Sequence, residues 1–269
     1  MKNVIVVTGI GGMGMACARR MGMGLKLVLC DFDENKLKAS YEELSASGYD
    51  VTTIKTDVSD KASVEAAAGK AVSLGNIRAI IHTAGLSPTM ASAERLFAVD
   101  LIGTARMIEA FEAHLSAGMV GVFVSSSSGY LGAELTQEQR QQIITLKADD
   151  LVPYLSNLNI IDSGQAYVLS KRANRLQVQA AAVRWGKKGA RIMSVSPGII
   201  STPMGQKEQQ ASPTIDYMIK NAPTQRIGTP EDIAAVTEFI ISPAASFLSG
   251  SDILVDGGVT ALFHTSPSQ

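Results

Sequence analysis

The chain has 269 residues, 46% hydrophobic and 18% charged, with a net charge of −1 and a pI near 6.3. That is enough apolar material for one large core in a single α/β domain, and the near-neutral balance excludes the electrostatic footprint of a nucleic-acid binder or of a protein drawn to an anionic membrane. Cys17 and Cys30 lie in apolar-periodic segments with no ligand spacing around them, which predicts buried thiols and neither a disulfide framework nor a bound metal.

The first apolar run, over 3–8, holds Val4-Ile5-Val6-Val7 and predicts a strand covered on both faces. It has no charged leader and cleavage site, and no run in the chain approaches the about 18 apolar residues that span a bilayer, so a reducing cytoplasm is the expected location. Next comes Thr8-Gly9-Ile10-Gly11-Gly12-Met13-Gly14, followed by a helical pattern through Met15, Cys17, Ala18 and Met21. A glycine turn into a helix N-terminus presents backbone N–H groups and the helix dipole to a pyrophosphate, which makes Gly9, Gly11, Gly12, Met13 and Gly14 candidate cofactor contacts.

A second strand over 26–31 ends in Asp31, 22 residues after Gly9, where a carboxylate can accept from ribose hydroxyls. Phe32, Asp33 and Glu34 follow, with no basic residue placed for a 2′-phosphate, so NAD is expected rather than NADP. The competing role for Asp31 is the N-cap of the next helix. Further strands are predicted over 51–56, 78–83, 120–125, 191–196 and 252–255, and helices over 34–45, 62–72, 93–115, 165–185 and 231–241. This alternation predicts a Rossmann-like, doubly wound parallel sheet of seven strands flanked by helices. Residues 130–163 fit poorly as a loop and are read as an insertion within the domain.

Tyr167-Val168-Leu169-Ser170-Lys171 sets a phenol and an ammonium one helical turn apart. A lysine beside a tyrosine favours the phenolate, so the Tyr167 pKa is expected to fall toward the range of a general base.

With these residues the chain resembles the short-chain dehydrogenase/reductase family over essentially its whole length. Thr56-Asp57-Val58 is similar to the acidic dipeptide that flanks the adenine, and His82-Thr83-Ala84-Gly85 to the Asn-Asn-Ala-Gly turn. The resemblance adds Asp57, Val58, Ala84 and Gly85 to the cofactor contacts. Pro197-Gly198-Ile199-Ile200-Ser201-Thr202 resembles the turn that holds the nicotinamide carboxamide, implicating Pro197, Ile200 and Thr202. Arg226, Gly228, Pro230, Glu231 and Asp256-Gly257-Gly258 match the C-terminal signature, and alignment on Gly129 makes Ser126 the catalytic serine. The implied mechanism has Ser126 bonding the substrate oxygen and Tyr167 taking the hydroxyl proton while hydride passes to the nicotinamide. Lys171 activates Tyr167 and binds the nicotinamide ribose. Period-2 alternation places Ser128 on the same side as Ser126, as a second contact. His82 is expected to support the strand end and not to act in acid–base chemistry.

Three departures from the family stand out. The glycine loop is one residue short, with only Ile10 and Gly11 between Gly9 and Gly12. Asp100 replaces the asparagine that holds a water in the family's proton relay; it is expected to join that relay, the alternative being a solvated or capping carboxylate. Ser126 and Tyr167 are 41 positions apart, far more than is usual, because of the insertion. The insertion carries Leu135, Ile143, Ile144, Leu146, Leu151, Val152, Pro153, Tyr154 and Leu155, enough to line a pocket or cover a surface. Such insertions resemble the bacterial 3α-hydroxysteroid dehydrogenase/carbonyl reductase branch. A second segment, 201–223, is expected to close over a mainly apolar secondary alcohol or ketone. Family members associate through helices represented here by 93–115 and 165–185, which implies a homodimer or homotetramer. The alternative function is a non-catalytic NAD(H) sensor on the same fold.

Overall fold

The computed structural model describes residues 2–132 and 134–265. Seven parallel strands run in the order β3-β2-β1-β4-β5-β6-β7: β1 Asn3–Thr8, β2 Lys26–Asp31, β3 Asp50–Lys55, β4 Asn76–His82, β5 Val120–Val124, β6 Arg191–Pro197 and β7 Asp252–Val255. The helices are α1 Gly12–Gly22, α2 Glu34–Ala46, α3 Lys61–Leu74, α4 Ala93–Leu96, α5 Gly103–Glu112, α6 Gln137–Thr145, α7 Ala148–Asn157, α8 Ser163–Gly186, α9 Pro203–Ala211, α10 Pro213–Asn221, α11 Pro230–Ile241 and α12 Val259–Thr265. Among the described residues no helix is long and apolar enough to cross a membrane.

The apolar runs become strands because helices cover both faces. Val4, Ile5, Val6 and Val7 are at most 1% exposed. Ile5 and Val7 pack with residues of α1, α2 and α11, whereas Val4 and Val6 pack with residues of α3, α5 and α8. Strand order reverses between β1 and β4, and the crevice beyond the C-terminal ends of such a pair is where open α/β sheets bind ligands.

The helix expected over 93–115 is interrupted. α4 lasts four residues, a π turn covers Phe97–Ile102, and α5 ends at Glu112. Apolar periodicity does not distinguish i→i+4 from i→i+5 bonding over so short a stretch, yet the wider turn is where Asp100 sits.

A 3₁₀ turn over Ser127–Tyr130 leads into the insertion, which supplies α6 and α7. Thr136 and Gln139 form a capping box at the start of α6. Ile143, Leu151 and Leu155 are buried in a third core with Leu96, Phe97, Leu101 and Ile102 of α4 and the π turn and with Ala166, Leu169 and Ala173 of α8. Polar contacts fix the same layer: Ala148 N–H donates to Glu109 at 3.0 Å, and Asp149 pairs with Lys61 at 2.8 Å and Arg106 at 3.1 Å. Of the two uses open to this segment, it takes the second, covering a surface; Ile144 and Val152 point into solvent.

Candidate active site

The glycine loop is built by close approach. Gly9 has φ +83°, and a Cβ there would lie 2.4 Å from the backbone N of Ala84. A Cβ on Gly14 would lie 2.0 Å from Gly9 O and 2.9 Å from Thr83 Oγ1, and one on Gly12 would lie 2.9 Å from Thr202 Cγ2. Thr83 Oγ1 donates to Gly9 O at 2.5 Å, joining the β1 and β4 turns. Gly11 faces open space at the N-cap of α1 and offers no capping side chain, which leaves the first-turn N–H groups of Gly12, Met13 and Gly14 to a ligand. The shortened loop therefore still forms a cradle.

Asp31 accepts from Ile10 N–H at 2.8 Å and from Asp33 N–H at 2.9 Å, so its carboxylate is fixed at the rim. Capping of α2 falls to Asp33, which bonds the N–H groups of Asn35 and Lys36. Burial opposes the charge on Asp57, but bonds from Ser59 at 2.8 and 2.6 Å and the nearby Arg95 guanidinium hold its carboxyl below the usual range. The Val58 side chain is buried beneath Gly103, leaving only its backbone to a cofactor. Pro197 ends β6, Ile200 bridges to Gly228, and Thr202 Oγ1 accepts from Gly205 N–H at 3.0 Å, so the hydroxyl proton of Thr202 stays free to donate. An uncapped glycine cradle with a fixed carboxylate at the second strand fits a dinucleotide.

Four of the predicted residues converge beside this cradle. Lys171 and Tyr167 project from α8, with Lys171 Nζ 5.4 Å from the phenol ring centroid. Asp100 has no solvent exposure; its Oδ1 accepts from Leu86 N–H at 2.8 Å and its Oδ2 lies 3.0 Å from Lys171 Nζ. A Cβ on Gly85 would come within 3.1 Å of Lys171 Nζ, so Gly85 makes room for the pair. Asp100 is thus neither solvated nor a cap. Ser126 ends the extended segment after β5, its Oγ accepts from Ser128 N–H at 3.2 Å, and its hydroxyl favours the Tyr167 phenolate. Ser128 lies in the 3₁₀ turn, where strand alternation does not apply.

Electrostatics correct the expectation for Tyr167. Burial raises its pKa, Lys171 and Ser126 only partly counter this, and Asp100 and Glu208 add to the rise. The phenol therefore holds its proton more tightly than free tyrosine. Burial works against the Lys171 ammonium, but Asp100 reverses the balance and the lysine pKa is raised. Burial likewise pushes the Asp100 carboxyl up against the pull of Lys171. His82 is fully buried beside Phe123, and desolvation followed by the charge of Lys171 lowers its pKa to about 3, so the ring is neutral.

Two features escaped the sequence, a pair of arginines and a glutamate. Arg172, buried beside the motif lysine, donates to Gly129 O and Leu131 O, both at 3.0 Å, and Arg175 donates to Gly129 O at 3.1 Å while stacking 3.5 Å over Tyr130. Together with the Ser125 hydroxyl, bonded to Lys171 O at 2.6 Å, they clamp the Ser126 turn to α8. Glu208 on α9 is the other, a half-buried carboxylate whose charge adds to the rise of the Tyr167 pKa. An arginine beside the lysine and a glutamate in a polar helix match no motif; only the fold brings them here.

A family model described as enoyl-(acyl carrier protein) reductase matches residues 9–260. The short-chain dehydrogenase/reductase bsc3 of Alternaria brassicicola is 36% identical over 272 residues, covering 99% of each chain. D-threitol dehydrogenase of Mycolicibacterium smegmatis is 29% identical, over 96% of this chain and 93% of its own. Among solved structures, an actinorhodin polyketide ketoreductase with NADPH superposes with a TM-score of 0.77 at 20% identity, covering 96% of this chain and 97% of that one.

Proposed function

We propose that this chain, which belongs to the short-chain dehydrogenase/reductase family of nicotinamide-dependent oxidoreductases, is an NAD-dependent enzyme interconverting a secondary alcohol and its ketone. The observation that carries the proposal is the buried cluster of Tyr167, Lys171, Asp100 and Ser126 beside the glycine cradle. When bound, the nicotinamide supplies or accepts the hydride. Ser126 bonds the substrate oxygen, and Tyr167 exchanges a proton with it. Lys171 has two tasks: it stays an ammonium through Asp100, and it offers its remaining protons to the cofactor ribose. A phenol whose pKa is raised is a ready acid at neutral pH, which favours ketone reduction there and alcohol oxidation as pH rises.

Preference for NAD is supported by Asp31, whose fixed carboxylate would repel a 2′-phosphate. Hydroxysteroids and other cyclic alcohols belong on the substrate panel because of the resemblance to the 3α-hydroxysteroid dehydrogenase/carbonyl reductase branch, and D-threitol because of the relative that acts on it. The insertion covers outer faces of α4 and α8, so association as a homodimer or homotetramer would use other surfaces; light scattering measures this. Following reduced-cofactor absorbance over secondary alcohols with NAD and NADP tests the proposal: a higher kcat/KM with NADP overturns the cofactor assignment. The second reading, a non-catalytic sensor, is favoured by Asp100 engaging Lys171; tight NADH binding with no turnover on any alcohol would select it.

A further inference from the structure

A cleft of about 510 Å³ is lined by residues of the 3₁₀ turn, α6, α8 and β7, and none of the cofactor or proton-transfer residues described above belongs to its walls. Three arginines face it, Arg140 on α6 and Arg172 and Arg175 one helical turn apart on α8. Two carboxylates share the walls, Glu134 and Asp252, so the lining carries one more guanidinium than it has carboxylates.

The two carboxylates are held differently. Asp252 Oδ1 accepts from Ser194 Oγ at 2.5 Å and its Oδ2 from Tyr130 OH at 2.7 Å, while Arg175 Nε stays 3.9 Å away and is buried without a hydrogen-bond partner. Arg175 stacks 3.5 Å over the Tyr130 ring and donates to Gly129 O at 3.1 Å, and Arg172 donates to Gly129 O and Leu131 O, both at 3.0 Å. Backbone carbonyls orient these guanidinium groups without cancelling their charge. Glu134, by contrast, is 73% exposed, and its single oxygen Oε2 serves both Arg140 at 2.7 Å and Arg172 at 3.4 Å. An ion pair so open to water is weak, and this carboxylate marks the point where an anionic oxygen fits between the two arginines.

We propose that this cleft is a second ligand site, separate from the nicotinamide site, and that it takes a phosphate group. A tetrahedral dianion presents several oxygens to forked donors, and arginine–phosphate contacts of that kind are short and strong. It meets the surplus guanidinium and displaces the exposed Glu134 carboxylate from Arg140 and Arg172. The volume indicates the source: the cleft has the size of a small-molecule site, more than a phosphate group alone fills, so the occupant is a phosphate monoester of a small organic molecule. Arg172 and Arg175 also hold Gly129 O, in the turn that follows Ser126, so the occupant touches the side chains that position that turn.

Isothermal titration calorimetry with phenyl phosphate and with inorganic phosphate tests it, with NADH present at saturation to occupy the glycine cradle. Phenyl phosphate should bind about threefold or more tighter than inorganic phosphate. Arg140→Gln should weaken its binding by about tenfold or more, and Glu134→Gln, which removes the competing carboxylate, should tighten it by about threefold or more. Both side chains are exposed, and changes in opposite directions do not come from a general loss of folding. Inorganic phosphate that binds as tightly as the ester, with the same response to both substitutions, moves the source to the free ion and leaves the phosphate site standing. Absence of binding by either compound, or binding that either substitution leaves unchanged, overturns the proposal; a phosphate that only enters the glycine cradle is indifferent to both.

Discussion

Asp100→Asn removes the charge facing Lys171 at 3.0 Å and keeps an oxygen for the Leu86 N–H at 2.8 Å. At an effective dielectric of about 20, the lost Coulomb attraction is roughly 5.5 kcal/mol, and breaking a buried pair by removing one partner costs about 3–5 kcal/mol after desolvation is counted. Asparagine still serves one of the two donors, so the expected loss is about 2–3 kcal/mol, a fall in Tm of roughly 4–5 °C by calorimetry. Because the folded pKa of Lys171 is raised above the ordinary 10.5, this contribution is fully present below that pH and vanishes as pH climbs through the folded value.

The same change has a kinetic signature. Asp100 adds to the raised pKa of Tyr167 and sustains that of Lys171, so removing it lowers both. The rise of alcohol oxidation with pH should then begin at a lower pH, and a descending alkaline limb should appear where Lys171 loses its proton. The assay is kcat/KM for oxidation across pH, beside the thermal melt. An unchanged profile at every pH together with an unchanged melt would refute the idea that this ion pair sets the proton affinity of the site.

Tyr167→Phe should lower turnover by about 10²–10⁴ with NADH affinity nearly unchanged by fluorescence titration; retention of more than a few per cent of the rate removes it as the proton-transfer group. Gly14→Ala places a methyl 2.0 Å from the backbone oxygen of Gly9, which the loop relieves only by opening, so NADH affinity should fall roughly 10- to 100-fold in the same titration. His82 is held neutral with a pKa near 3 against an ordinary 6.5, so its contribution to stability is intact above pH 6.5 and lost as pH falls toward 3, with a slope of up to about 1.4 kcal/mol per pH unit. Denaturant melts of His82→Asn over that window should show a visibly flatter acid slope than wild type.

How far the sequence reached depends on which interactions are local. The strands were legible because burial on both faces leaves an unbroken apolar run, as in Val4 to Val7, and the cradle because φ +83° at Gly9 and the contact of Gly14 with Gly9 O demand glycine. Tyr167 and Lys171 were legible because i and i+4 share a helix face. The sign of the Tyr167 shift was not, since it depends on burial and on two carboxylates 67 and 41 positions away in sequence, Asp100 and Glu208. The π turn and the Arg172 clamp were hidden for the same reason: each exists only once α8 lies against elements far from it in the chain.

Those distant elements also set the work of the insertion. The insertion buries Ile143, Leu151 and Leu155 against the π turn and α8, which carry Asp100 on one side and Tyr167 and Lys171 on the other. At about 1.5–3 kcal/mol for each fully buried side chain, an upper estimate, three of them outweigh the about 3–5 kcal/mol at stake in the buried ion pair. A π turn is less regular than the helix it interrupts, and here its outer side chains Leu101 and Ile102 are clamped from outside while Asp100 is held from inside. The insertion therefore packs against the two elements that hold the buried pair, the π turn and α8.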